Sequence, residues 1–169
     1  MNILIISDSH GWTDQLKTII GRHEHEVDQV IHVGDSELPE HAPELAGVNV
    51  VAGNCDVFSS FPNELECQWE GTTAYIAHGH HHGVKQTLAK LISRAKEKGA
   101  RIAIYGHSHI ARAEEQDGVI LINPGSVRLP KQYPEGTYCC LTIGNEHADI
   151  NYWTTAGKKA TDLDKHFTL

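Results

Sequence analysis

Five short apolar runs, each closed by a block of Asp, His, Asn or Gly, constrain this chain more than any other feature of its sequence. "LIIS" runs into Asp8 and His10, "VIHV" into Gly34 and Asp35, and "VVA" into Gly53, Asn54 and Asp56. "AYIA" precedes His78 and His80, and "IAIY" precedes Gly106, His107 and His109. Short runs of this kind read as strands buried on both faces, which the parallel sheets of layered α/β folds supply. In such folds the loops after the strands converge on one edge, and ligand sites collect there. Taken singly, an Asp or Ser after a strand serves as a helix cap and an Asn after Gly as a turn residue. Recurrence at five strand ends argues for one shared site.

The rest of the pattern fills in the layers. Between the strands, "WTDQLKTIIGR" reads as a helix with Leu16, Ile19 and Ile20 on its inner face. A second helix is expected from Val84 to Lys98, where Val84, Leu88, Leu91, Ile92 and Ala95 recur at helical spacing and Gly99 stands at the stop. "NELECQWEG" alternates, and the later segments "ARAEEQ", "GVILINPGS", "GTYCCLTI" and "ADINYWTT" all read as strands joined by short turns. Parallel strands early and antiparallel strands late, with helices outside more than one sheet, follow from this order. At 169 residues one domain is expected, ending in a polar tail from about residue 156, "AGKKATDLDKHF".

Charge and histidine content narrow the function. A net charge of -8 argues against a surface that coats nucleic acid or anionic membrane. "MNILIISDSHG" has neither the basic start nor the apolar length of a signal peptide or membrane span, so a reducing, cytoplasmic setting is expected. Cys55, Cys67, Cys139 and Cys140 show no CxxC spacing and read as free thiols. The 13 histidines bring metal binding forward. Asp8, His10, Asp35, Asn54, His78, His107 and His109 form an oxygen and nitrogen donor set without thiolate, which suits Mn²⁺, Fe or Zn²⁺. Seven donors are too many for one tetrahedral ion, whereas two ions sharing a carboxylate are the economical count. Paired ions of this kind serve hydrolysis at phosphorus.

The blocks "DSH" at 8–10, "GD" at 34–35, "GNCD" at 53–56, "HGH" at 78–80 and "GHSH" at 106–109 resemble, in order, those of the calcineurin-like metallophosphoesterases. "INPGSV" at 122–127 resembles a segment of the small YfcE-type phosphodiesterase branch, and the likeness runs over about residues 1–153. The resemblance implies a four-layer α/β/β/α sandwich of two mixed β-sheets. It implies that Asp8, His10 and His109 hold one metal, Asn54, His78 and His107 the other, and Asp35 both. The implied cofactor is a pair of divalent ions, Mn²⁺ first, with Zn²⁺, Fe, Ni²⁺ and Co²⁺ as alternatives. The implied reaction is attack on a small phosphate ester, a diester first, by a hydroxide bridging the two metals.

Around the ligands, Asn54 and Cys55 are expected to meet substrate, and Ser126 and Arg128 to contact its oxygens. Cys55 stands where the wider family carries a histidine, which weakens proton donation to the leaving group. His80 is the candidate to supply that proton, and Asp56 to hydrogen-bond a ligating imidazole. Gly106 is expected to provide the sharp turn that sends His107 and His109 to different ions. His81 and His82 read as solvated loop, His23, His25, His41 and His166 as surface, and His32 as a core histidine. The alternative is a protein-binding scaffold, as in the retromer subunit that shares this fold. The physiological ester and the oligomeric state are not specified by the sequence.

Overall fold

Alternation within the first strand sets the layers. The computed structural model describes residues 1–169. In β1 (Asn2–Ile6), Ile3 and Ile5 face one side and Leu4 and Ile6 the other, and all four are fully buried. Ile3 and Ile5 join a core shared with Ala74, Ile76, Ile102, Ile104, Ile120 and Ile122, so this core lies between two sheets. Leu4 and Ile6 pack with Leu16 and Ile19 of α1 (Asp14–His23) in a separate outer cluster.

The first sheet is completed by β2 (Gln29–His32), β3 (Val48–Val50), β9 (Thr137–Ile143), β10 (His147–Thr154) and β11 (Lys165–Thr168), in the order β11-β10-β9-β1-β2-β3. The second contains β4 (Glu64–Trp69), β5 (Thr72–Ala77), β6 (Ile102–Ile104), β7 (Arg112–Gln116) and β8 (Val119–Asn123), in the order β4-β5-β6-β8-β7. β1, β2 and β3 are parallel, as are β5, β6 and β8, with antiparallel partners outside them. On the far face of the second sheet, Leu91, Ile92 and Ala95 of α2 (Ala89–Glu97) pack on Tyr75, Ala103 and Leu121. The result is the expected α/β/β/α sandwich. No helix is long and apolar enough to cross a membrane.

Three expectations need correction. α2 starts at Ala89 rather than Val84, because a 3-10 turn at His80–His82 and the turn after it occupy the preceding residues. Val84 is nevertheless buried, as its apolar character demands. The segment after residue 156 is not a polar tail: β11 pairs with β10, and Ala160, Leu163 and Phe167 join the inter-sheet core. Asp164 fixes this return by accepting the Tyr152 N–H at 2.8 Å. His23 is not at the surface but buried against Tyr138 and Trp153, with its Nε2 3.0 Å from the Tyr138 hydroxyl. His25, His41 and His166 are exposed as expected.

Candidate metal centre

Parallel strands from both sheets end on one edge of the sandwich, and their loops are stitched together there. Asp8 N–H donates to the Gly34 carbonyl, His10 N–H to Asp35 and Gly106 N–H to His78, each at 3.0 Å. Nine non-glycine residues have positive φ, and five of them are Asp8, His10, Asp35, His107 and His109. A left-handed backbone costs free energy in non-glycine residues and persists where surrounding contacts impose it. The GHSH turn is therefore made by its histidines, at φ 64° and 61°, and not by Gly106 as expected. Gly106 is needed for space, since a Cβ there would collide with the Ser7 hydroxyl and meet Asp8 Oδ2.

Each of three imidazoles is anchored through Nδ1 and aims Nε2 inward. His78 Nδ1 bonds the Val33 carbonyl at 2.7 Å, His109 Nδ1 the Leu129 carbonyl at 2.8 Å, and His10 Nδ1 lies 2.7 Å from Glu37 Oε1. With the proton on Nδ1, the neutral rings present lone pairs from Nε2. Those lone pairs face other acceptors. His109 Nε2 is 3.0 Å from Asp8 Oδ1 and 3.4 Å from His10 Nε2. His78 Nε2 is 3.4 Å from Asp35 Oδ2 and 3.2 Å from Asn54 Oδ1. Asp8 is fully buried, and its Oδ1 has no hydrogen-bond donor, whereas Oδ2 accepts from Ser7 Oγ at 2.5 Å and from His107 N–H at 3.2 Å. A buried carboxylate oxygen surrounded by lone pairs is costly unless a cation takes the place between them.

The donors fall into overlapping groups whose ligand atoms lie within 4.8 Å of one another: Asp8, His10 and His109; Asp35, His78 and His107; and His10, Asp35 and Cys55. The first two separate His10 and His109 from His78 and His107, with Asn54 beside His78. Burial opposes ionisation of Asp8 and Asp35, but it is outweighed. His109 and His78, whenever Nε2 carries a proton, hold the Asp8 carboxyl low together with Ser7, and His78 and the Cys55 N–H at 2.8 Å hold Asp35 low. Burial also pushes His78 down, yet Asp35 and Asp8 raise it overall, so a proton is drawn to the place a cation fits. Burial, with His78 and Lys85 nearby, pushes His107 down to about 4. Lost solvation and the Asp35 and Glu37 carboxylates push the Cys55 thiol up to about 12, so it is a neutral group at neutral pH.

Several neighbours do other work than expected. Asp56 touches no imidazole: buried below the loops, its carboxylate accepts the N–H groups of Asp35 at 2.7 Å, Gly53 at 2.8 Å and Glu37 at 2.8 Å. Ser126 is fully buried, donating to the Asp8 carbonyl at 2.8 Å and accepting from Leu129 N–H at 2.8 Å, so its hydroxyl is not free for substrate. Arg128 is exposed and reaches the His10 carbonyl, beside the site. Asn54 and Cys55 are exposed at the rim. His80 is partly buried with its ring 5.4 Å from His78 and 6.1 Å from His107, and burial with His81 and His78 pushes it down to about 4. His81 is exposed with its ring tilted against His80, while His82 is partly buried with Nε2 3.1 Å from the Tyr75 hydroxyl, not simply solvated. His32 is a core histidine as expected, 2.8 Å from Ser9 Oγ. Glu37, Ser7 and the carbonyls of Val33 and Leu129 escaped sequence reasoning. Glu37 lies two residues beyond Asp35 with no spacing signal, and backbone carbonyls leave none.

The calcineurin-like phosphoesterase superfamily domain model matches residues 1–146. The probable metallophosphoesterase YsnB of Bacillus subtilis is 46% identical over 169 residues, all of both chains. A crystal structure of a conserved uncharacterized protein from Streptococcus pneumoniae, a predicted phosphoesterase, superposes with TM-score 0.93 at 31% identity, covering 99% of this chain and 97% of that one. Vacuolar Protein Sorting 29 from Cryptosporidium parvum shares the fold, with TM-score 0.81 at 17% identity over 99% of this chain and 98% of its own.

Proposed function

The chain belongs to the calcineurin-like phosphoesterase superfamily, and from that footing we propose that it is a phosphodiesterase using two divalent ions, Mn²⁺ first. Asp8, His10 and His109 would hold one ion, Asn54, His78 and His107 the other, and Asp35 would be shared. Two bound cations would polarise the phosphoryl oxygens and supply an acidified water as nucleophile. The observation that carries this reading is the buried Asp8 Oδ1, without a hydrogen-bond partner and 3.0 Å from His109 Nε2.

The chain's own residues fix the geometry. Val33, Leu129 and Glu37 lock three rings in the tautomer that leaves Nε2 free, and such outer contacts set both affinity and orientation. Asn54 is exposed, with its Nδ2 engaged only by Cys55 Sγ at 3.4 Å, so it can turn a donor toward a phosphoryl oxygen. Arg128 stands beside His10 as a second oxygen contact. Proton donation is the weak point: Cys55 is a thiol pushed up to about 12, and His80 is neutral at pH 7. Diesters and activated esters, whose leaving oxygens need little protonation, fit this site better than alkyl monoesters.

The scaffold reading has only the shared fold behind it, and the filled donor set favours catalysis. Protein stripped by a chelator should hydrolyse bis(4-nitrophenyl) phosphate when Mn²⁺ is returned. Absence of turnover with Mn²⁺, Zn²⁺, Ni²⁺ and Co²⁺ alike overturns the proposal and promotes the scaffold.

A further inference from the structure

Beside the centre, a cavity of about 540 Å³ opens on the helix-bearing side of the second sheet. Its head is Ser108, which separates His107 from His109, and it runs along one face of β7 past Arg112 and Glu114 to Gln116. Four residues of strand advance roughly 13 Å, so the cavity leads well away from the metal ligands. α2 begins too late to cover it, and the turn at Val84–Leu88 forms the opposite wall.

The cavity is cationic in an acidic protein. Lys85, Arg112 and Lys131 line it against a single carboxylate, Glu114, in a chain of net charge -8. Arg112 is engaged with Glu114 at 2.6 Å. The lysines that form ion pairs are Lys17 and Lys98, which leaves Lys85 and Lys131 unpaired. Lys131 is tied to the centre by its own backbone, since its N–H donates to the His109 carbonyl at 3.0 Å. Tyr105 and Ile110 add apolar lining to the same cavity. A volume of this size suits a small organic ligand rather than a macromolecular surface.

We propose that this cavity is the subsite for the part of the substrate beyond the scissile phosphate, and that this part carries a second phosphate, held by Lys85 and Lys131. The inference rests on the phosphodiesterase reading and names the class within it: organic diesters with at least one further phosphate. The organic part lies over Tyr105 and Ile110. Singly charged diesters lack the group that the unpaired lysines attract, so selectivity comes from the second charge.

The test compares thymidine 5′-(4-nitrophenyl phosphate) with the same ester bearing a 3′-phosphate, both assayed with the Mn²⁺-loaded protein. We expect kcat/KM to favour the doubly phosphorylated ester by about tenfold, the product of two charge-assisted contacts worth a few-fold each. The double variant Lys85→Ala, Lys131→Ala should bring that ratio close to one. Lys90→Ala, Lys158→Ala removes the same charge from exposed positions outside the cavity and should leave the ratio as it was. A ratio near one in the unaltered protein, or equal effects of the two double variants, overturns the subsite. Failure to hydrolyse either ester while bis(4-nitrophenyl) phosphate is still cleaved also overturns the subsite and leaves the phosphodiesterase reading standing. Loss of all three activities overturns both.

Discussion

Nε2 of His109 lies 3.0 Å from Oδ1 of Asp8, and in the neutral ring neither atom has a proton to give, because Nδ1–H is committed to Leu129. Two acceptors at this distance in a buried place repel, yet the loops hold them there with five left-handed residues. The arrangement is built for something positive between them. Stability is lost locally to a geometry that a proton or a bound cation between the two atoms relieves.

Asp8→Asn tests that trade. The amide oxygen can keep the contacts from Ser7 and His107, while the new NH₂ donates to the lone pair of His109. At pH 8 with chelator present, the variant should be more stable than the unaltered protein by about 1–2 kcal/mol in urea unfolding. It should also lose the stabilisation expected of the parent when Mn²⁺ is added. A variant less stable than the parent without metal would show that the carboxylate was not in conflict with its neighbours.

Asp35→Asn tests the proposed shared ligand against a bystander. Its Oδ2 faces His78 Nε2 at 3.4 Å, and its Oδ1 accepts the Cys55 N–H. Loss of contacts outside the ligand shell alone costs 10- to 100-fold in many sites, so removal of the carboxylate proposed to be shared should lower kcat by at least about 10². His82→Ala, altering a ring that touches Tyr75 rather than the centre, should stay within a few-fold. Similar losses in the two variants would dissolve the proposed assignment.

What the sequence discloses and what it hides divide along local and distant causes. The strands ending at Ile6, His32 and Ile104 are legible because burial on two faces demands apolar runs, and the candidate ligands because metal chemistry dictates residue type. β11 is hidden: Ala160, Leu163 and Phe167 are isolated among polar residues, and the strand exists through pairing with β10 and the Asp164 bond to Tyr152. His23 looks like a surface residue beside Arg22 and Glu24, and Tyr138, 115 residues away, together with Trp153 makes it a core one. Ser126 follows a turn in the right place for substrate, but the direction of its hydroxyl depends on where Asp8 comes to lie.

Asp56 shows the same distinction in a form that kinetics can read. Three backbone N–H groups converge on one buried carboxylate. Asp56→Ala leaves them without a partner, at about 1–3 kcal/mol each, so the unfolding free energy should drop by at least about 3 kcal/mol. The Asp35 loop should loosen with it, and Mn²⁺ affinity should fall by more than tenfold in equilibrium dialysis. A variant with normal stability and metal content but lower kcat would place Asp56 at the reacting atoms instead.

His32 predicts the response to acid. It is buried between Ser9 and the Gly34 N–H, and burial pushes it down to about 4 despite the nearby carboxylates of Asp8, Asp56 and Asp35, with His78 adding to the depression. An unfolded histidine titrates near about 6.5. Above that value neither state binds the proton and the full stability is present. Between about 6.5 and 4 the unfolded chain takes up a proton that the folded chain refuses, so stability falls as pH falls. A single such group gives a slope approaching about 1.4 kcal/mol per pH unit. Urea unfolding of the chelated protein at pH 7 and pH 5 should therefore show a loss that His32→Gln reduces, because glutamine can keep a contact to Ser9 without titrating. The variant's stability at pH 7 is immaterial to the test, which reads only the difference between the two pH values. Parallel pH dependences in parent and variant would mean that the proton is taken up elsewhere.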